Sequence, residues 1–218
     1  MIWIVAASPQ QQRTVGYRDV LGVGEFRVLW IAHAQSRLGD QLARVAIAVL
    51  VFGRTSSALL TSLTYALTFL PPLVSVPLLT GLADRHPRRS VLVATDLCRM
   101  TLVGLMALPG VPLPAIAGLL VIMVSLQPLY SAARNAMLPT VLAGERYVLG
   151  LGLVNLTDGI MLVGGFVFGG MLLAWLGSGA ALGVDAVTFA VSALLVRLGT
   201  RPHRPAPAPG SAPTPRAR

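Results

Sequence analysis

Long apolar runs separated by short polar segments are the dominant pattern of this sequence. Six runs each contain about 18 residues or more. An α-helix rises about 1.5 Å per residue and needs about 20 residues to cross the roughly 30 Å hydrocarbon core of a bilayer. The pattern therefore predicts an all-α polytopic membrane protein with six transmembrane helices. The predicted spans cover residues 26–52, 58–82, 91–108, 115–133, 148–176 and 180–198.

The two ends of the chain differ from this apolar middle. Residues 1–25 mix apolar and charged positions, which predicts a cytoplasmic lead-in. Residues 199–218 are rich in proline, alanine and arginine, which predicts a disordered or polyproline-like cytoplasmic tail. The predicted organisation is a lead-in (1–25), a six-helix transmembrane bundle (26–198) and a tail (199–218).

Composition supports the membrane prediction. The 218 residues are 55% hydrophobic and 11% charged, whereas a soluble domain carries about 25% charged residues. All 17 basic residues are arginine and the net charge is +9, which in a soluble protein would favour a nucleic-acid partner. Here most arginines lie in loops and ends, without the interleaved aromatic residues that stack on bases. We therefore expect the lipid bilayer, and no nucleic acid, as a partner.

The arginines are unequally distributed between the two sides of the predicted helices. If the odd-numbered spans run outward, thirteen arginines lie in cytoplasmic segments or at cytoplasmic span edges, and only Arg54 lies in an outer loop. Arginine-rich segments stay on the cytoplasmic side of a membrane. The distribution predicts that both termini are cytoplasmic.

Motifs that carry enzyme chemistry are scarce. Cys98 is the only cysteine, which excludes an intrachain disulfide and a cysteine-based metal site. The three histidines show no ligand spacing, so no metal is expected. The sequence also lacks GxxxxGK(S/T), GxSxG and HExxH. We therefore expect no enzyme and no cofactor.

Four ionisable residues form one stripe on the first predicted span, because positions i, i+4, i+7 and i+11 share a helical face. Ionisable groups at bilayer depth cost about 2.5–3.5 kcal/mol each on insertion scales, and they face a bundle interior or an aqueous cavity. Two interpretations stand. The stripe lines a central cavity with Asp40 as a proton acceptor, or Asp40 and Arg44 form a structural ion pair. The stripe comprises His33, Arg37, Asp40 and Arg44.

Three further acids lie within later spans. Asp96 and Arg99 are spaced i, i+3 on the third span, and we interpret them as a structural gate network. Asp158 has no basic residue within a turn of its own helix, so an unpaired acid there is a stronger candidate proton carrier. The alternative for Asp158 is a hydrogen bond to a neighbouring helix. Asp185 lies near the outer end of the sixth span and is expected to be solvated.

The fifth predicted span is rich in glycine. Gly165 and Gly169 have the small-xxx-small spacing that lets two membrane helices approach closely. Together with Gly170, they predict a helix-packing surface.

The densest charge cluster reads DRHPRR at residues 84–89, between the second and third spans. It resembles the signature that the major facilitator superfamily carries between its second and third helices. The similarity covers about residues 17–199 and is greatest to the bacterial drug-exporter branch, which includes macrolide-efflux and enterobactin-export proteins. Four further segments resemble the family in the same order: SRLGD at 36–40, DLCR at 96–99, ARNAMLP at 133–139 and DAVTF at 185–189.

This resemblance implies one half of a two-half transporter. Members of the family have two six-helix halves around a central cavity, and this chain resembles the amino-terminal half. The implied activity is proton-coupled efflux of small amphipathic molecules across the bacterial inner membrane. The proton gradient would supply the energy, and a second six-helix half or a second copy of the chain would be the partner. The alternative is a truncated, non-transporting membrane protein or a scaffold that needs a partner.

The expected functional residues fall into two groups. The candidates for the proton and substrate cavity are Arg37, Asp40, Arg44 and Asp158. The residues expected to form a cytoplasmic gate are Asp84, Arg85, Arg88, Arg89, Asp96, Arg99 and Arg134.

Overall fold

The computed structural model of the chain describes residues 15–201, and for residues 78–80 and 82–85 it describes the backbone alone. Most of the predicted lead-in and tail, and the side chains of Asp84 and Arg85, therefore lie outside the described residues. Within the described range the secondary structure is helical, with no strand. The helices are α1 (Tyr17–Leu21), α2 (Gly24–Thr55), α3 (Ala58–Ala66), α4 (Leu70–Arg85), α5 (Arg88–Met106), α6 (Leu113–Ser125), α7 (Gln127–Val141) and α8 (Glu145–Gly199).

Helix boundaries follow local chemistry. The long helix α2 ends at Thr55 and is capped by Ser56, whose backbone is left-handed (φ 50°). The Ser57 hydroxyl caps α3 by accepting from the Leu60 N–H. Prolines at the start of α4 and α7 fit the first helical turn, where no backbone N–H is needed. The second predicted span is thus two helices, α3 and α4, rather than one.

The connection predicted over residues 134–147 is shorter in the structure. Helix α7 continues to Val141, and α8 begins at Glu145. The sequence of α7 is polar enough to suggest a loop, but its buried face, including Ala133 and Met137, packs into the bundle and favours the helix.

Helix α8 folds back on itself at Gly177, whose backbone (φ 76°, ψ 169°) is not helical. A Cβ added at Gly165 would meet Gln41, and one added at Gly39 would meet Asp185, so both arms of α8 contact the same turns of α2. In a straight helix, residues 165 and 185 would be about 30 Å apart. The two arms coincide with the predicted fifth and sixth spans.

Helix α2 is the centre of the bundle. Its most extensive interfaces are with the two arms of α8, and α5 in turn packs on α8. Buried apolar side chains cluster at three levels along α2, around Phe26, Leu29 and Ile47. This arrangement places one face of α2, including its ionisable stripe, against α5, α7 and α8.

Three helical stretches of the described residues are long and apolar enough to cross a membrane: Ala58–Pro77, Leu113–Val141 and Glu145–Gly199. Large apolar side chains such as Leu59, Leu73 and Trp175 point away from the bundle and are 73–82% exposed, which suits a lipid-facing surface. Helix α2 is not one of these three stretches. It is long enough to cross a membrane, but the ionisable stripe makes its composition too polar.

Candidate functional site

The ionisable stripe of α2 meets charged side chains from α5, α7 and both arms of α8. His33 and Asp40 are buried, and Arg37 is about one-third exposed. The spacing of the stripe predicted a shared face, and the structure places these residues on the side of α2 that packs into the bundle. The contacts of the stripe with other helices form two groups. We call the group beside a cavity the cavity side and the group in the bundle interior the buried side.

On the cavity side, Arg134, His33, Asp158 and Arg37 form a chain of contacts. Asp158 Oδ1 lies 2.9 Å from His33 Nε2 and 2.8 Å from Arg37 Nε. Arg134 lies 2.5 Å from His33 Nδ1. The same Arg134 nitrogen lies 2.6 Å from His33 Nε2. In the tautomer whose Nε2–H donates to Asp158, Nδ1 is the ring nitrogen that accepts from Arg134. Asp158 is therefore not an unpaired acid: its partners come from α2, which agrees with the alternative given for it, a hydrogen bond to a neighbouring helix.

On the buried side, Asp40 forms an ion pair with Arg99 of α5. A second cation, Arg37, lies 3.8 Å from the other carboxylate oxygen of Asp40. The guanidinium of Arg99 also lies over the Phe189 ring, 4.3 Å from its centroid, in a cation–π contact. The predicted Asp40–Arg44 pair is not among the ion pairs of the described residues, because Arg99 approaches Asp40 from across the helix interface.

Asp96 and Asp185 are fully buried carboxyl groups close to this pair. Asp96 accepts a hydrogen bond from Ser192 (2.6 Å), and Asp185 accepts one from Thr188 (3.2 Å). Neither forms an ion pair within the described part of the chain. The expectation that Asp185 is solvated was wrong, since the α8 fold-back carries it against Gly39 in the interior.

The polar face of the second α8 arm was not recognised from the sequence. Asp185, Thr188, Phe189 and Ser192 follow i, i+3, i+4 and i+7, which places them on one helical face. Their spacing is the same kind of signal that identified the stripe on α2. Gly39 permits this approach, because a Cβ there would overlap both Asp185 and Thr188.

A cavity of about 250 Å³ opens beside the stripe, between α2 and the first arm of α8. Arg44 donates to the side-chain oxygen of Gln41 (2.8 Å), and its guanidinium lies 5.6 Å from the Phe69 ring centroid. Gln41 was also missed from the sequence, although it lies one turn from both Arg37 and Arg44. The cavity is lined by Arg37, Gln41, Arg44, Asp158, Gly159 and Leu162.

A family model described as the Major Facilitator Superfamily matches residues 29–217. The chain belongs to this superfamily. The uncharacterized MFS-type transporter YkuC of Bacillus subtilis (strain 168) is 28% identical over 186 residues. That alignment covers 82% of this chain and 42% of the relative, so the chain spans less than half of the relative's length. Family membership and the apolar helices together identify an integral membrane protein.

Two of the three predicted packing glycines of this major facilitator chain lie in the α2–α8 interface. A Cβ added at Gly165 would overlap Gln41, and one added at Gly169 would lie 3.4 Å from Leu42. Gly170 differs, because a Cβ there would meet nothing within 4 Å. The small-xxx-small pair thus contacts α2, and Gly170 lies outside this contact because it is about 100° further around the helix.

The residues that the family resemblance assigned to a gate are divided in the structure. Arg88 donates to the Ala136 carbonyl (2.6 Å), and Arg89 donates to the Arg197 carbonyl, so both hold the α4–α5 elbow against α7 and α8. Arg99 and Arg134 instead contact the α2 stripe, and Asp96 contacts Ser192. Among the described residues, the expected gate therefore consists of two separate groups, one at the elbow and one inside the bundle.

Proposed function

We propose that this chain is the amino-terminal six-helix half of a major facilitator transporter that exports small amphipathic molecules in exchange for protons. The observation that carries the proposal is the charge network between α2, α5 and α8, which borders a cavity. Ionisable groups inside a membrane protein are rare and mark ion and substrate pathways. Membership of a transporter superfamily favours this reading over an intramembrane enzyme.

The composition of the buried side supports proton coupling. Asp96 and Asp185 both lie within electrostatic range of Asp40 and Arg99. Three buried carboxyl groups thus share two guanidinium groups, Arg99, which pairs with Asp40, and Arg37, which is divided between Asp40 and Asp158. Because uncompensated buried charge is unfavourable, three carboxylates against two guanidinium groups favour a state in which at least one carboxyl group holds a proton. We propose Asp40, within this cluster, and Asp158, at the cavity, as the proton carriers.

The proposed transport cycle needs a second half, which is either another six-helix segment or a second copy of the chain. In the superfamily the two halves rock around a central cavity, and the cavity beside α2 would be one wall of it. The elbow residues Arg88 and Arg89, together with Asp84 and Arg85, are proposed to close the cytoplasmic side against that half. A scaffold without transport activity is the second candidate, in which the buried Asp40–Arg99 pair would serve helix packing alone.

Dye export from cells that lack their own multidrug exporters tests the function. The chain is expressed alone and joined in frame to the part of YkuC that it does not match. We expect the joined protein to export an amphipathic dye, and a protonophore to stop the export. The chain alone is expected to export none. A joined protein that reaches the membrane but exports nothing would favour the scaffold.

The proposed topology has six spans in the bacterial inner membrane and both termini in the cytoplasm. It predicts opposite accessibility for the exposed turn residues Pro109 and Ala143. In a Cys98→Ser background, Pro109→Cys should react with a membrane-impermeant maleimide in intact cells. Ala143→Cys should react only after the cells are opened. Labelling of Ala143→Cys in intact cells would contradict this orientation.

A further inference from the structure

The cavity beside α2 has an excess of positive charge. Two guanidinium groups, Arg37 and Arg44, line it together with one carboxylate, Asp158. Arg37 is bound to that carboxylate through its Nε (2.8 Å). Arg44 has no ion-pair partner among the described residues, although Asp40 acts on it electrostatically at longer range.

Arg44 has hydrogen-bonding capacity that the described residues do not use. No carboxylate among them lies within 4 Å of its guanidinium, whose hydrogen-bond partner is the side-chain oxygen of Gln41. A guanidinium carries five N–H donors, so most of those on Arg44 are available to a ligand. The Phe69 ring, 5.6 Å away, holds the group in place without neutralising it.

Gln41 adds a second donor at the same cavity. Its side chain is only 4% exposed, and its amide nitrogen has no hydrogen-bond partner among the described residues. A buried amide N–H without a partner is costly. Because this nitrogen has less than 1 Å² of accessible surface, an anion in the cavity would reach it after a rotation of the Gln41 side chain. The donors of Arg44 and Gln41 therefore favour the same kind of ligand.

We propose that this cavity binds the anionic head group, a carboxylate or phosphate, of an amphipathic small molecule. The proposal rests on the transport function above and names its substrate class. Arg44 and Gln41 donate to the anion, and Arg37 is shared between the anion and Asp158. The apolar part of the ligand lies in an adjoining groove along α8, which meets the cavity at Gly159 and is lined by Asn155, Leu156, Gly159, Ile160, Val163 and Gly164.

Three probes that share one apolar group test the charge preference: 1-naphthaleneacetate, 1-naphthaleneacetamide and 1-naphthylmethylammonium. Equilibrium dialysis measures their binding to the 218-residue chain in nanodiscs of neutral lipid. We expect the carboxylate to bind about tenfold more tightly than the amide, since charge-assisted hydrogen bonds are stronger than neutral ones. Equal affinities, or tightest binding of the ammonium probe, would overturn the proposal.

Variants locate the binding. Arg44→Gln should weaken carboxylate binding about tenfold and leave amide binding unchanged, because only the charged contact is lost. Arg44→Lys, which keeps the charge, should retain part of the affinity. Asp158→Asn should strengthen carboxylate binding, because it removes the group that competes for Arg37. The matched control is Arg54→Gln, the same change at the exposed end of α2. A loss in Arg54→Gln as large as in Arg44→Gln would overturn the assignment.

Anionic lipid is the other source of such a head group. Phosphatidylglycerol added to the nanodiscs should leave carboxylate binding unchanged if a free small molecule is the ligand. Displacement by this lipid in the parent chain would assign the site to lipid and overturn the small-molecule proposal. Binding is measured without a proton gradient, so failed dye export with intact carboxylate binding would contradict the transport function alone.

Discussion

Replacing Arg99 with methionine should lower the free energy of unfolding by about 3–5 kcal/mol, the range measured when one partner of a buried ion pair is removed. Arg99 is 1% exposed and is ion-paired with Asp40, which is 4% exposed. Methionine fills a similar volume but cannot compensate Asp40. Arg37, which lies 3.8 Å from Asp40 and is shared with Asp158, would then be the one described cation paired with Asp40, beside Asp96 and Asp185.

Unfolding in mixed micelles, titrated with sodium dodecyl sulfate, measures this effect. Combining Arg99→Met with Asp40→Asn should recover part of the lost stability, because the second change removes the uncompensated charge. The double-mutant cycle then gives the coupling between the two residues. Arg54→Met is the control; it removes an exposed hydrogen bond to the Val111 carbonyl and should cost about 0.5–1.5 kcal/mol, the net contribution of one hydrogen bond. An Arg99→Met chain as stable as the parent would show that the pair contributes nothing.

The distribution of charge around α2 links the two proposals. The buried side has more carboxyl groups than guanidinium groups, and the cavity side has the reverse. Proton binding neutralises the first excess, and an anionic ligand neutralises the second. Arg37 lies between them, 2.8 Å from Asp158 and 3.8 Å from Asp40. A shift of Arg37 between these carboxylates would therefore connect proton binding to ligand binding.

Features that depend on one helix could be predicted from the sequence. The stripe of α2 follows from helical periodicity, and the bounds of α2 and α5 lie within a few residues of the predicted spans. The close approach at Gly165 and Gly169 also followed from spacing alone. Family membership followed from the order of several short motifs, and the family model confirms it.

Features that depend on two helices could not be predicted in the same way. Spacing rules find partners three or four positions away, so they paired Asp40 with Arg44 and left Asp158 without a partner. The actual partners are Arg99 and Arg37, which are 59 and 121 positions away in the chain. The burial of Asp185 depends on the turn at Gly177, which returns the second arm of α8 to α2. A single sequence contains no direct signal for these contacts.

Replacing Gly165 with alanine should separate α2 from the first arm of α8. The added Cβ would overlap the Cβ of Gln41 and lie 3.0 Å from its Cγ, and both atoms are near the backbone of a buried helix that cannot move aside cheaply. Overpacking of this kind costs about 1–3 kcal/mol. Because Gln41 also lines the cavity, the substitution should weaken binding of 1-naphthaleneacetate as well as lowering stability.

Gly170→Ala is the matched control, since it makes the same change five residues along the same helix where a Cβ meets nothing within 4 Å. Alanine favours a helix over glycine by about 1 kcal/mol, so this variant should be as stable as the parent or more stable. Unfolding in mixed micelles and equilibrium dialysis of the carboxylate probe compare the two variants. If Gly165→Ala and Gly170→Ala behave alike in both measurements, the close contact between α2 and α8 at Gln41 is wrong, and the cavity built on that contact is wrong with it.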